Sequence, residues 1–305
     1  MSSTLKGSIM VVVAGIAWGI SGVSGQYLMS HGIPINLLTS LRLFISGLVL
    51  TALILLTQRQ RFFQALKSKH LWLGVILFSF FGLLLNQYAY LSAIHYTNAG
   101  TATVLQYMTP VLIVVAFCLK DRSLPTIGDS LAIFLAVLGT YIIATHGQVT
   151  NLAITPKGLF WGILSAFTYA LYILIPAKLI KEWGSLIVIG LGMMISGIFF
   201  PIAVKAWQYP FSLTWGNGLA LFGIVGVGTI FAYTVFLKGT TIIGAVKGSL
   251  LASVEPVASV IFGILIMHEH FYLIDLVGMT LIMLAVFLIS YKDLIAEKRA
   301  TIKKV

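Results

Sequence analysis

The stretch GAVKGSLLASVEPVASVIFGILIM, Gly244 to Met267, is apolar over the length of a membrane crossing and holds one acid, Glu255, followed at once by Pro256. About 20 helical residues cross the hydrocarbon of a bilayer, so the stretch reads as a span with a carboxylate near its centre. An earlier stretch, NAGTATVLQYMTPVLIVVAFCL, Asn98 to Leu119, has Thr109-Pro110 at the corresponding place. Sliding one over the other by 146 positions superposes Leu91, Ala99, Leu105, Pro110, Val111, Val114, Leu119 and Asp129 on Leu237, Ala245, Leu251, Pro256, Val257, Val260, Leu265 and Asp275. The chain is a tandem duplication. A carboxylate deep in hydrocarbon is costly and normally faces a cavity or a partner, which makes Glu255 a candidate functional residue.

Composition sets the class. Of 305 residues, 59% are hydrophobic and 9% charged, with a mean hydropathy of +1.03, more apolar surface than a soluble core can hide. Apolar runs near residues 6–30, 35–57, 71–94, 97–119 and 126–146 are followed by runs near 156–180, 185–206, 216–238, 243–267 and 272–292. The expected fold is an all-α integral membrane protein with ten transmembrane helices as two five-helix inverted repeats. Five is odd, so the second repeat enters the bilayer upside down relative to the first. Ile45-Ser46-Gly47 in the second run matches Ile195-Ser196-Gly197 in the seventh at an offset of 150. Inverted repeats build many secondary transporters, whose sites lie at the repeat interface near mid-membrane. The expected division is 1–147, 153–292 and a basic tail, 293–305. The longest polar connections are Gln58–His70, Gly147–Lys157 and Tyr209–Gly218. The first apolar run is longer than a signal-peptide core and reads as an uncleaved span. The single Cys118 excludes an intrachain disulfide.

The charge of +11 follows from topology. With the amino terminus cytoplasmic, sixteen of the nineteen Lys and Arg fall on the inner side, only Lys157 and Lys205 fall outside, and Arg42 lies within the membrane. That bias is the positive-inside pattern, with both termini cytoplasmic and no anionic partner required. Nucleic acid is excluded as a partner, because no groove-reading element accompanies the basic residues. No P-loop, nucleophile elbow or His-Glu-x-x-His is present, so neither ATP-driven transport nor an enzyme is expected, and no cofactor. His268-Glu269-His270 has no standard zinc spacing, so no metal is expected either.

Trp18-Gly19, Arg42, Asn98-Ala99, Pro110 and the run from Gly244 to Pro256 followed by Glu269 together resemble the EamA-like family of the drug/metabolite transporter superfamily over about residues 7–292. The resemblance implies small-molecule transport by alternating access through a cavity between the halves, without specifying a substrate. Family members often carry Glu before the proline in both repeats; here the first repeat has Thr109. The expected function is a secondary transporter or facilitator, an exporter of an amino acid, amine or related solute. The alternative is a flippase of a lipid-linked substrate. The expected partners are a small-molecule substrate, the lipid bilayer and coupling protons, with the protein a monomer or homodimer.

Polar residues inside the spans segregate by depth. Gln26, Arg42, Asn86, Gln87 and Gln106 fall in the outer part of the first repeat; Tyr172, Tyr233, Thr234, Lys247, Ser249 and Ser253 fall in the inner part of the second. They read as a vestibule converging on Thr109, Pro110, Glu255 and Pro256, or else as groups bonding one another between packed helices. The candidate substrate or coupling residues are Glu255, Trp18, Arg42, Asn86, Gln87, Gln106, Tyr107, Tyr172, Tyr233 and Lys247. Pro110 and Pro256 are candidate hinges, since each removes a helix hydrogen bond. For Arg42 the favoured reading is pairing with helix ends or polar groups of the third span. Glu255 is expected to bind a cation, carry a proton, or accept from a hydroxyl or Lys247. Gly15/Gly19 and Gly244/Gly248 read as close helix contacts.

Topology is testable directly. Single cysteines at residues 64 and 300 in a Cys118→Ala background should be labelled only from the cytoplasmic side by impermeant reagents. Labelling from the opposite side reverses the orientation.

Overall fold

Ten helices are long and apolar enough to cross a membrane: α1 (Ser3–Ser30), α2 (Ile35–Thr57), α3 (Lys69–Tyr96), α4 (Ala99–Lys120), α5 (Ile127–Thr145), α6 (Pro156–Trp183), α7 (Ser185–Ala203), α8 (Trp215–Ile243), α9 (Lys247–Met267) and α10 (Leu273–Lys292). The computed structural model describes residues 3–146, 148, 153–212 and 214–302. Gly147 and residues 149–152 of the expected hinge, and Lys303 and Lys304 of the tail, lie outside the described residues. The helix of α10 continues to Ile302. The stretch expected as a polar connection after α2 instead forms a short helix, Arg59–Leu66, with Phe62 and Ala65 buried. Its amphipathic sequence explains this: two apolar residues three apart face the bundle while the arginines stay wet.

Most spans begin with a side chain that accepts a backbone N–H the helix cannot satisfy. Asn98 accepts from Thr101 N at 2.8 Å, Thr155 from Gly158 N at 3.1 Å and Thr214 from Asn217 N at 3.2 Å. Thr126 and Asp129 form a reciprocal capping box at the start of α5.

Two kinds of interruption recur at equivalent places in the two repeats. Phe78–Leu84 in α3 and Gly223–Phe231 in α8 are π-helical. Neither was anticipated, because a π turn leaves the apolar pattern unbroken. α4 divides into Ala99–Gln106 and Thr109–Lys120, and α9 into Ala245–Ala252 and Val254–Met267. The breaks precede Pro110 and Pro256, as expected where a ring clashes with the preceding turn.

The repeats meet along two antiparallel crossings. In the first, a Cβ added to Gly47 would lie 2.8 Å from the Met194 backbone, and one added to Gly197 would lie 2.7 Å from that of Phe44. The reciprocity follows the 150-residue offset of the matched Ile-Ser-Gly triplets. In the second, Gly139 and Gly278 bring α5 and α10 together, each facing the other's carbonyl oxygen. A polar contact closes each end of that crossing: the ion pair of Lys292 Nζ with Asp129 Oδ2 at 2.6 Å, and His146 Nε2 against Asp275 Oδ1 at 2.7 Å. Asp129 and Asp275 are equivalent under the 146-residue offset, and so are His146 and Lys292.

α1 lies against α8 and α9, where a Cβ on Gly15 would meet Val254 and one on Gly19 would meet Ala258. That pair makes the expected close contact. Gly248 packs on Thr240, whereas Gly244 serves the turn between α8 and α9 at φ +87°. An L side chain rarely adopts that conformation.

Gly197→Ala should lower the thermal midpoint in detergent, because backbone atoms cannot yield; overpacking of this kind costs about 1–3 kcal/mol. Gly218→Ala, whose added methyl would meet nothing within 4 Å, should leave the midpoint unchanged or raise it. Tryptophan fluorescence during heating reads both.

Candidate functional site

The break in α9 turns Glu255 toward the break in α4. Tyr107, the C-cap of Ala99–Gln106, donates its hydroxyl to Glu255 Oε2 at 3.0 Å and lies equally close to the Ala252 carbonyl. Glu255 is half-buried. Of the partners expected for it, the hydroxyl is present; among the described residues no ion pair joins it to Lys247.

Arg42 faces the same region from α2 and is 7% exposed. Among the described residues its side-chain hydrogen bond runs from Nε to Thr229 Oγ1 at 3.4 Å. This corrects the expectation that the third span would hold it: the partner belongs to the π-helical stretch of α8. The local geometry explains why, since Thr229 spends its own hydrogen on the Ile224 carbonyl five residues back, at 3.0 Å, and presents a lone pair to the guanidinium. Arg42 and Glu255 are near enough to feel each other's charge, yet they form no salt bridge. Leaving two opposite charges unpaired within hydrocarbon is expensive and normally marks a site that receives something else.

Aromatic residues surround the two charges. Tyr172 donates to Tyr233 at 3.1 Å, Tyr169 stacks on Tyr172 at 5.6 Å, and Trp18 meets Tyr233 edge-on at 5.5 Å. Tyr90 bonds Thr103 at 2.7 Å, and Thr103 donates to Ser259 at 3.3 Å, linking α3, α4 and α9. Trp18, Tyr107, Tyr172, Tyr233, Arg42 and Glu255 are thus brought together. Tyr90 and Tyr169 join them; as sequence they were two intramembrane aromatics among several, with nothing to set them apart.

The remaining candidates are placed elsewhere. Gln106 donates to Asn86 at 3.2 Å, and Thr168 donates to the same Asn86 oxygen at 3.3 Å. These are contacts between packed helices, the alternative weighed for the polar groups of the first repeat. Gln87 is buried on α3. Lys247 is exposed at the opening of α9 and outside the cluster.

The two sides of the cluster differ. All eight residues of Ala99–Gln106 are buried, while on the equivalent Ala245–Ala252 segment Lys247 and Ser249 are exposed. On the side away from the termini, Gln26 donates to Glu269 and accepts from Ala99 N at 2.8 Å, tying α1, α4 and the end of α9 together. Glu269 is therefore engaged in a helix contact. The helices around Glu255 are thus tied together on that far side, while on the side carrying the termini Lys247 and Ser249 are exposed. A separate cleft of about 490 Å³ between α3 and α7, lined by Phe80, Phe81, Tyr88 and Phe200 among others, contains no charged group and lies apart from Glu255.

The sequence pattern of the EamA-like transporter family matches residues 5–145 and 156–291. This chain belongs to the EamA-like transporter family. It is 38% identical over 292 residues to the uncharacterized inner membrane transporter YicL of Salmonella typhimurium, covering 95% of this chain and 97% of that protein. It is 29% identical over 287 residues to the uncharacterized transporter YetK of Bacillus subtilis, covering 90% and 83%. A crystal structure sharing 18% identity superposes with a TM-score of 0.60 over 94% of this chain and 96% of its own, which establishes the common fold. The protein is accordingly a multi-pass membrane protein of a transporter family.

Gln26→Leu leaves the Ala99 N–H without its acceptor and Glu269 without its donor. A cysteine at Ala102, fully buried, should then react several-fold faster with a thiol reagent applied from the far side, in the Cys118→Ala background. An unchanged rate would mean that the far side is held together by other contacts.

Proposed function

We propose that the protein is a secondary transporter that exports a small metabolite with a cationic amine, most simply an amino acid or a related amine, by alternating access between its two repeats. The observation that supports this reading is the pair Arg42 and Glu255: opposite charges, one from each repeat, within electrostatic reach of each other among aromatic residues and, among the described residues, without an ion pair between them. A zwitterion supplies both missing partners, its carboxylate to Arg42 and its ammonium to Glu255, and the aromatic rings suit an organic cation or an apolar side chain. Residues 1–147 and 153–292 act as the two moving units, with 293–305 as a tail, and the terminal side is taken as cytoplasmic. Glu255 also has the position to carry a coupling proton. The second reading, passage of a lipid-linked substrate, is favoured by the apolar cleft between α3 and α7, which offers an acyl chain a route from the bilayer.

Purified protein in liposomes should support counterflow of a labelled amino acid or amine, identified by a thermal-shift panel, with no nucleotide present. Glu255→Gln should weaken amine binding by about 1.5–3 kcal/mol, the usual value of a charge-assisted hydrogen bond. Arg42→Gln should weaken carboxylate-bearing ligands while sparing simple amines. A strict requirement for ATP, or thermal shifts only with lipid-linked compounds, would sink the first reading.

A further inference from the structure

The two prolines leave equivalent gaps that the two repeats fill differently. A proline offers no N–H to the carbonyl four residues before it; those carbonyls belong to Gln106, before Pro110, and to Ala252, before Pro256. In the first repeat Thr109 Oγ1, from the same helix, lies within hydrogen-bond reach of the Gln106 carbonyl at 2.7 Å and also of the Ala166 carbonyl on α6 at 2.8 Å. Under the 146-residue offset the residue in Thr109's place is Glu255, and an ionised carboxylate has no hydrogen to donate. Ser253, in Tyr107's place, turns its hydroxyl to the Leu250 carbonyl at 2.6 Å. The Ala252 carbonyl instead receives its donor from the other repeat, the Tyr107 hydroxyl at 3.0 Å.

That hydroxyl has one hydrogen and two acceptors, because Glu255 Oε2 is also 3.0 Å away. When Glu255 is ionised, the charge-assisted bond is the stronger and the phenol points to the carboxylate. The Ala252 carbonyl then lacks a donor. When Glu255 is neutral, its own O–H donates to the phenolic oxygen and the phenol donates to Ala252, so all three groups are satisfied. The proton that neutralises Glu255 comes from the aqueous side; Tyr107 keeps its hydrogen and only re-aims it.

We propose that Tyr107 is a positioning residue that ties the charge on Glu255 to the junction between the broken halves of α4 and α9. A change at the acid is thereby felt as a gained or lost hydrogen bond at the backbone where the second repeat bends. This rests on the reading of Glu255 as the acid of the transport site. The other titratable groups within electrostatic reach of Glu255 are Arg42 on α2, Tyr90 on α3, Tyr169 on α6 and Tyr233 on α8. Among the described residues, none of these four is hydrogen-bonded to it.

The test needs no substrate, so it fails or succeeds independently of the transport reading. Infrared difference spectra between alkaline and acidic buffers, on the full chain in lipid, report both partners. The protonated-carboxyl band missing in Glu255→Gln belongs to Glu255, and the phenol C–O band missing in Tyr107→Phe belongs to Tyr107. The expected result is that the Tyr107 band shifts in step with the appearance of the Glu255 band and stays fixed in Glu255→Gln. Thr109→Val, at the other proline, should leave the shift intact. If Tyr107→Phe does not fold, ring-deuterated tyrosine in wild type and Glu255→Gln identifies the same band. A Tyr107 band that stays put while Glu255 protonates, one that still moves in Glu255→Gln, or the absence of any Glu255 band across the range would each overturn the proposal. Failure of the transport reading would show separately, as unchanged amine binding in Glu255→Gln.

Discussion

Hydrocarbon supplies no hydrogen-bond donors, so every backbone carbonyl released inside the bilayer must find one within the protein. The interior of this bundle is arranged around that requirement. Pro110, Pro256 and two π-helical stretches are among the places where the regular ladder is broken, and hydroxyl groups gather there: Thr109 at Gln106, Tyr107 at Ala252, Thr229 at Ile224. Elsewhere Ser40, Thr103 and Thr140 turn back onto carbonyls of their own helices. The polar side chains that sequence inspection marks as candidate ligands are therefore drawn from a larger set whose first duty is to the backbone. The two charges differ, because Arg42 and Glu255 carry more hydrogen-bonding capacity than the backbone around them consumes.

Much of the architecture was legible because hydrocarbon imposes length and composition on each span. All ten spans begin and end within a few residues of the apolar runs, and the offsets of 146 and 150, read in the sequence as signs of duplication, also relate residues that face each other across the crossings. Gly47 and Gly197 meet as the matched triplets require. What the sequence hid was geometry that leaves hydropathy unchanged. A π turn shifts the register of the side chains that follow, but in a stretch as uniformly apolar as Gly223–Phe231 the shift leaves no mark on hydropathy, so Thr229 could not be seen as the partner of Arg42. Asn86 and Gln106 looked like vestibule residues by depth, yet they bond to each other and to Thr168, because depth says nothing about the direction in which a side chain points. The pairing of His146 with Asp275 was concealed for a different reason: the equivalent of His146 in the other half is Lys292, and a histidine matched to a lysine is invisible to a search for identical residues.

The duplication has diverged at its centre. Thr109 and Glu255 occupy equivalent places, as do Tyr107 and Ser253, so the first repeat supplies a large hydroxyl and the second an acid. A symmetric pair of acids would place two like charges at the same depth, each raising the cost of ionising the other. With one acid and one phenol, charge sits on one repeat and the group that answers it on the other, so the break in the second repeat draws its donor from the first.

The reciprocal polar contacts at the two ends of the α5–α10 crossing bear on how the chain is made. Asp129 and His146 belong to the fifth helix and their partners to the tenth, so during synthesis both wait until nearly the whole polypeptide has been threaded into the bilayer. Antiparallel insertion of α10 satisfies both ends at once; a helix inserted the other way would set Asp275 beside Asp129 and Lys292 beside His146. Both contacts therefore favour the antiparallel orientation of α10 over its reverse.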